Sequence, residues 1–357
     1  VLWITVSVLV VTCPCALSLA TPIALTVAAG ALAKDGLLVT RGHAIETLSR
    51  ATHFVFDKTG TLTTGRMHLI DVGAVGRLSR DECLAIAAAL EQNSEHPVAT
   101  ALRRAAGESF PTAADAVSEP GQGIEAMVNG QCYRIGRPAY ALALSQAELP
   151  NVAVDWLESG DTVVVLADAS GCQAFFRIGD EIRPESSVLI SQLRSAGKKI
   201  VLLTGDAPAV AKRVAAALGI EDVRAGATPQ GKHDCVKALQ AGGAVVAMVG
   251  DGVNDAPVLA QAQVSIAMGG GAQLARTQSD FVLLSENLNH LRYGLRRAVK
   301  TLQVIRQNLW WSFAYNFIAL PLAIAGYVTP WMAGIGMSAS SLLVVLNSLR
   351  IQRVETD

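Results

Sequence analysis

The placement of apolar and charged residues divides the chain into three parts. Residues 1–30 carry no charged side chain, and roughly 20 apolar residues are enough to span a bilayer. Lys34 and Arg41 follow, which puts that end on the cytoplasmic side by the positive-inside tendency. A second apolar run, 309–328, is separated by Thr329-Pro330 from a third, 331–349. Arg296, Arg297, Lys300 and Arg306 precede this pair, and Arg350 and Arg353 follow it. Both ends of the hairpin are therefore expected in the cytoplasm, with Trp310, Trp311, Tyr327 and Trp331 at the interfaces. Basic residues at both cytoplasmic ends argue against the buried helices of a large soluble core.

Between these runs the period changes. A short apolar stretch ends in a polar loop three times: HFVFDKTG at 53–60, KIVLLTGD at 199–206 and AVVAMVGDG at 244–252. Helical patterns over 207–218 and 231–239 separate the later strands. Alternating strand and helix predicts an α/β domain with a parallel sheet, whose site lies at the carboxyl ends of the strands. Those ends carry Asp57, Asp206 and Asp251. Residues 67–177 read instead as an α+β insertion. Helices are expected over 80–92 and 97–106, followed by strand-like TVVVLAD and QAFFRI, and the polar stretch 108–120 is expected to be a loop.

Composition adds two constraints. At 51% hydrophobic and 17% charged, the chain suits a soluble module tethered to a few membrane helices. Its net charge of -1 provides no basic field for nucleic acid. Of six cysteines, Cys83, Cys132, Cys172 and Cys235 are scattered singly while Cys13 and Cys15 flank Pro14. That is no disulfide framework, and it fits a reducing, cytoplasmic setting for the soluble part. The opening VLWITV has neither Met nor a charged n-region, so it reads as part of a hydrophobic helix rather than a signal peptide.

DKTGTLT at 57–63 sets an Asp at a strand end before a Gly-containing loop, where a carboxylate meets backbone N–H groups suited to phosphate. Carboxylates attack phosphoryl groups to give an aspartyl phosphate, and the transferred charge calls for Mg²⁺ and cationic clamps. Asp57, Asp251 and a carbonyl near Thr59 are the candidate Mg²⁺ ligands. Thr204 and Lys232 are candidates to grip phosphate oxygens, and Asn254 and Asp255 to order the metal shell. Lys58, Gly205 and Asp206 complete the catalytic set. A solvated Asp in a turn explains any one of these motifs, but not DKTGTLT, TGD and GDGVNDAP in this order.

The run DKTGTLTTG, SEHPVA, LLTGD and GDGVNDAP resembles the P-type ATPases, and CPC in the preceding helix resembles their heavy-metal-transporting branch. The resemblance covers essentially the whole chain. It implies autophosphorylation of Asp57 by ATP, coupled to cation movement through the membrane helices. The implied fold is a cytoplasmic α/β phosphorylation domain, Rossmann-like and of haloacid-dehalogenase type, over 31–66 and 178–290. An α+β nucleotide-binding domain is inserted at 67–177, and three transmembrane helices lie at 1–30 (with CPC), 309–328 and 331–349. Glu91, His96, Gly121 and Gly123 are implied to line the ATP pocket, with Gly136 a further candidate. The family's Gly-Asn pair is Gly136-Arg137 here, so Arg137 stays outside the candidate set. No Thr-Gly-Glu occurs, so the chain is expected to hold the phosphorylation and nucleotide domains with the last three helices, and not the family's actuator domain.

Proline in a membrane helix releases backbone groups and bends it, and thiols on either side can converge on one soft cation. A redox disulfide is the competing reading, with poor geometry expected across so tight a kink. Copper-transporting members show Tyr-Asn and Met-x-x-Ser-Ser where this chain has Tyr315-Asn316 and MSASS at 337–341. The resemblance thus adds Tyr315, Asn316, Met337 and Ser341 to Cys13 and Cys15 as ligands for Cu(I). Zinc-type relatives bring Lys and Asp to these helices, whereas 307–349 contain no Lys, Asp or Glu. The segment GVNDAPVLAQAQVSIAMG resembles the subgroup tied to cytochrome oxidase assembly. The reading is ATP-driven Cu(I) export from a bacterial inner membrane, with a copper chaperone or acceptor as partner. Zn(II)/Cd(II) export is the alternative. So is a membrane-anchored phosphatase of the same fold, disfavoured because its usual second acid is Thr59 here.

Overall fold

The computed structural model describes residues 2–107, 109–145, 147–251, 256–271 and 273–353, with side chains at 273–275 excepted. It forms two compact units, Val1–Asp57 with Ser187–Val201 and Thr228–Asp357, and Lys58–Ser186 with Leu202–Ala227.

In the first unit the strands lie in the order Leu37–Val39, Phe281–Leu283, Val264–Ala267, Val246–Gly250 and His53–Asp57, with Lys199–Leu203 next. The strand Leu37–Val39 runs antiparallel to its neighbour, and the pairs from Phe281–Leu283 to His53–Asp57 are parallel. Phe54, Val55, Phe56 and Val246 to Val249 are all fully buried. This explains their unbroken apolar sequence, since a parallel sheet is covered on both faces. Phe56 pairs with Val249, so Gly250 falls level with Asp57 and Asp251 leaves the sheet at the same edge.

The long apolar helices belong to this unit. The expected helix over 1–30 is two helices, Leu2–Val11 and Cys15–Lys34, broken at Pro14, which supplies no N–H to continue the first. Asn289–Ile324 is a single helix of 36 residues, and Pro330–Leu349 follows it. Leu2–Lys34 and Pro330–Arg353 are long and apolar enough to cross a membrane. The third expected span, 309–328, is instead the end of the 36-residue helix and stops at Ile324. It carries Ser312, Tyr315 and Asn316. Trp310, Phe313, Phe317 and Ile318 on it are nevertheless exposed. Ala16, Ala20, Ala24 and Ala28 recur every fourth residue and are buried. That narrow stripe lets the CPC helix approach both carboxy-terminal helices closely.

The second unit carries a six-stranded antiparallel sheet in the order Thr63–Ala74, Gly171–Ile182, Thr162–Asp168, Gln131–Gly136, Gly123–Val128 and Ala113–Glu119. Helices Arg80–Leu90 and Pro97–Ala106 cover one face. The first starts at a capping box, in which Ser79 and Glu82 satisfy each other's backbone N–H. The loop expected over 108–120 is corrected: Ala113–Glu119 is an edge strand paired with Gly123–Val128. Every residue of it beyond Ala113 is exposed, so its polar composition imitates a loop.

One guanidinium ties the membrane helices to the sheet. Arg297, 3% exposed, donates from Nε to Asp35 Oδ2 at 2.7 Å and from Nη1 to the Ile351 carbonyl at 2.6 Å. Replacing one partner of a buried pair leaves an uncompensated charge. Arg297→Met should therefore lower stability by about 3 kcal/mol in thermal unfolding of the detergent-solubilised protein. A change indistinguishable from that of exposed Arg296→Met would show that the pair does not hold this junction.

Candidate functional site

Asp57 ends the strand His53–Asp57 and is 6% exposed. Its Oδ1 takes a hydrogen bond from Lys232 Nζ at 2.5 Å, and both side chains are nearly buried. The helix that brings Lys232 there begins with Thr228 as its cap, accepting from Gly231 N at 3.0 Å, and Pro229 in its first turn. That start fixes the lysine one turn inside the helix. A carboxylate this dry needs a cation beside it.

In the second unit, Lys58 Nζ lies 2.8 Å from Asp206 Oδ2. Thr204 Oγ1 donates to the same oxygen at 2.9 Å and accepts from Asp206 N at 3.2 Å. Backbone bonds from Thr204 N to Arg224 O and from Ala227 N to Thr204 O lock that strand end, with Gly205 between. Lys58 and Asp206 open on a cavity of about 450 Å³, also walled by Asp161, Asp180 and Arg213. Burial pushes the Asp180 carboxyl up, against the lowering pull of the Thr63 hydroxyl and the Lys58 charge. Asn254 and Asp255 lie outside the described residues.

The donors proposed for Mg²⁺ are hard oxygens: the carboxylates of Asp57 and Asp251, on one sheet edge, and a backbone carbonyl at Thr59. Among the described residues no cluster of three or more His, Cys, Asp or Glu side chains could hold a metal. Mg²⁺ fits such a set, because it takes one or two carboxylates and completes its shell with phosphate and water.

Glu91, His96, Gly121, Gly123 and Gly136 all line one cavity of about 350 Å³ in the second unit. Gly123 and Gly136 face each other across adjacent strands. A Cβ on Gly123 would sit 2.1 Å from the Ile135 carbonyl, and one on Gly136 2.2 Å from that of Gln122. These glycines therefore set how closely the strands approach at the cavity wall. His96 caps the helix Pro97–Ala106, its Nδ1 accepting from Val98 N at 3.3 Å. In the neutral ring that assignment leaves the proton on Nε2. Glu91 is 7% exposed and its Oε2 is buried without a partner. Burial pushes its carboxyl up, while Ser94, His96 and Arg103 pull it down. Arg137 lines the same cavity. Sequence reasoning set it aside, although its place between Gly136 and a helix beginning at Pro138 was the available signal.

In the membrane part, Cys13, Tyr315, Asn316 and Met337 line a cavity of about 10 Å³ beside Pro14, a volume on the scale of one small occupant. Three features differ from expectation, the first being that Cys15 does not line the cavity. Ser340 rather than Ser341 reaches the cavity, its Oγ accepting from Trp311 Nε1 at 3.1 Å. Both serines lie about one helical turn beyond Met337, so spacing alone could not choose between them. Cys13 and Cys15, expected as open thiols, are joined by a disulfide. Their Cα atoms are 5.5 Å apart, a separation that a bridge accommodates.

The haloacid dehalogenase-like hydrolase family matches residues 51–263. "Probable copper-exporting P-type ATPase V" of Mycobacterium tuberculosis is 40% identical over 359 residues, covering 99% of this chain and 46% of the relative. "Cation-transporting P-type ATPase B" of Mycobacterium bovis is 38% identical over 356 residues, covering 98% and 47%. A crystal structure of a zinc-transporting PIB-type ATPase in the E2.Pi state superposes with a TM-score of 0.88 at 35% identity, over 96% of this chain and 57% of that one. The chain thus spans about half the length of the curated relatives it matches. The matched span contains Asp57 at the end of its buried parallel strand, and the chain belongs to the haloacid dehalogenase-like hydrolase family.

Proposed function

We propose that this chain is the catalytic and carboxy-terminal membrane part of a P-type ATPase that exports Cu(I) through an aspartyl phosphate at Asp57. The observation that carries the reading is the meeting of Cys13, Tyr315, Asn316 and Met337 at one small cavity, in a chain that also presents the buried Asp57–Lys232 pair. The Asp57 carboxylate attacks the γ-phosphorus of ATP, and ADP leaves with the electrons of the broken P–O bond. Lys232, Lys58 and Thr204 offset the charge of the transferred group. Mg²⁺, held by Asp57, Asp251 and the Thr59 carbonyl, supplies further charge neutralisation when bound. In the nucleotide cavity, the unpartnered Glu91 Oε2 is an acceptor for an amino group of the base, and the Gly123–Gly136 wall admits a flat ring.

Thiolate and thioether ligands favour Cu(I), so the reduced pair of Cys13 and Cys15 is the ligating form, with Met337 completing a soft set. Ser340 replaces Ser341 as the hydroxyl near it. Relatives named for copper support this choice. The structure named for zinc keeps Zn(II) as the second reading, against which stands the lack of Lys, Asp and Glu over 307–349. The protein sits in a bacterial inner membrane with its catalytic units in the cytoplasm. It hands copper between a chaperone and an acceptor.

Membranes containing the intact gene product should form an acid-stable, hydroxylamine-labile phosphoenzyme from labelled ATP. The label should require Cu(I) and disappear in Asp57→Asn. Label that follows Zn(II) instead transfers the pump to the second reading, and equal label under chelator sinks the coupling to metal.

Gly123→Ala forces two backbones apart and should weaken ATP binding by about tenfold or more, roughly 1.4 kcal/mol, by equilibrium titration with a fluorescent ATP analogue. Unaltered affinity would remove the cavity from the reaction. Glu91 should give a pH signature in stability. Its pKa is raised in the folded state, so folding favours the neutral acid, and that contribution is lost as pH rises through the folded pKa. Glu91→Gln should therefore melt higher than wild type above that pKa and converge with it under acid conditions. A difference independent of pH would refute the assignment.

A further inference from the structure

The turn that follows Asp57 raises an accounting question, because buried backbone carbonyls need donors. Gly60 has φ +70 and the chain reverses through it, with Thr61 and Leu62 fully buried. The carbonyls of Gly60, Thr61, Leu62 and Thr63 turn toward the segment Asp180–Ser186, and one residue there bonds to all four. Arg183 donates from Nε to Thr61 O at 3.0 Å and to Thr63 O at 3.1 Å, and from Nη2 to Gly60 O at 3.2 Å. Its backbone N–H donates to Leu62 O at 2.9 Å, where Ser186 Oγ adds a second bond at 2.8 Å. On the far side of the turn, the Thr63 hydroxyl bonds to Lys58 O at 2.9 Å and to the Asp180 carboxyl.

Arg183 is 7% exposed. Three carbonyl oxygens accept from its guanidinium, and burying a charged group among fixed acceptors is a costly arrangement for a residue that only fills space. The planar fork of a guanidinium matches three acceptors in fixed directions, and the single ammonium of lysine does not. The turn it grips carries the Lys58 ammonium, aimed at Asp206, and the Thr59 carbonyl, with φ -73 and ψ 129. Arg183 does not line the nucleotide cavity. An effect of Arg183 on phosphoryl transfer is therefore separable from an effect on nucleotide binding.

We infer that Arg183 is a positioning residue for phosphorylation, holding the Lys58–Thr63 turn in the shape that presents Lys58 and the Thr59 carbonyl to the transferred group. This rests on the reading of Asp57 as the phosphorylated residue. Arg183 acts through the carbonyls of the loop it grips.

The test uses the intact gene product in membranes, as wild type, Asp57→Asn, Arg183→Lys, Arg183→Ala and Ser186→Ala. Three quantities are read: phosphoenzyme formation against ATP concentration, affinity for a fluorescent ATP analogue, and hydrogen exchange of peptides covering 58–65 and 123–136. Arg183→Lys and Arg183→Ala should lower the maximal phosphorylation rate by at least about tenfold, with the half-saturating ATP concentration and analogue affinity within about twofold of wild type. Exchange should accelerate at 58–65 and not at 123–136. Millimolar methylguanidinium should restore part of the rate to Arg183→Ala and none to Arg183→Lys. Ser186→Ala, which removes one of the two bonds at Leu62 O, should fall between these and wild type. A wild-type rate in Arg183→Lys overturns the inference. So does a parallel loss of rate, analogue affinity and exchange protection throughout, without rescue, since that is general destabilisation. Should wild type give no Asp57-dependent label while 58–65 still loosens in Arg183→Ala, the reading of Asp57 fails. The role in phosphorylation then falls with it, and Arg183 is a structural brace.

Discussion

A carboxylate buried at the end of a parallel strand is the constraint around which the first unit is arranged. His53–Asp57 is covered on both faces, so Asp57 reaches the sheet edge with little access to water. An isolated carboxylate in that position is costly to bury without a partner. Lys232 Nζ lies against Asp57 Oδ1 at 2.5 Å, and the capped helix start at Thr228 and Pro229 keeps the lysine in place. The same pairing restrains that oxygen, so on the proposed reading an incoming phosphoryl group and its cation compete for the lysine.

Two buried arginines solve a related problem in different places. Arg183 gathers the carbonyls of one tight turn, and Arg297 gathers Asp35 at the foot of the CPC helix together with the chain end at Ile351. In each case a planar, multiply donating cation joins segments far apart in sequence where no regular ladder reaches. Arg297 matters further because Asp35 caps the helix that begins at Cys15, and Leu37–Val39 then enters the sheet that contains His53–Asp57. A shift of the CPC helix thus has a contiguous, hydrogen-bonded path to the strand bearing Asp57.

Much of this was legible in the sequence because it rests on local rules. The unbroken apolar strands, the Asp at each strand end and the glycines of the nucleotide cavity carry their physical reasons in a few residues. What was not legible depended on tertiary choice. Ala113–Glu119 is polar because it is an edge strand, and composition does not distinguish an exposed edge from a loop. Ser340 and Ser341 share a helical face to within one residue, and Trp311 on another helix decides which one meets the cavity. The apolar run at 309–328 suggested a separate span, yet no helix-stopping signal precedes it, so the basic segment and the apolar one form one helix from Asn289 to Ile324. Arg183 stood in an unremarked IRPE sequence, and only the direction of four carbonyls gives it a role.

The proline of CPC shapes the small cavity and the path to the sheet at once. Breaking the helix at Pro14 removes a backbone bond and opens room for Tyr315, Asn316 and Met337 at the gap. It also makes Cys15–Lys34 an independent lever, pivoting at Pro14 and pinned at its far end by Arg297. A straight helix through residues 13–15 would project the two cysteines about 200° apart around its axis, on largely opposite faces. The kink brings them close enough for their sulfurs to bond. On the proposed reading, ligation by both depends on the same break that frees the lever, so occupancy of that site and the setting of the helix are two readings of one local geometry.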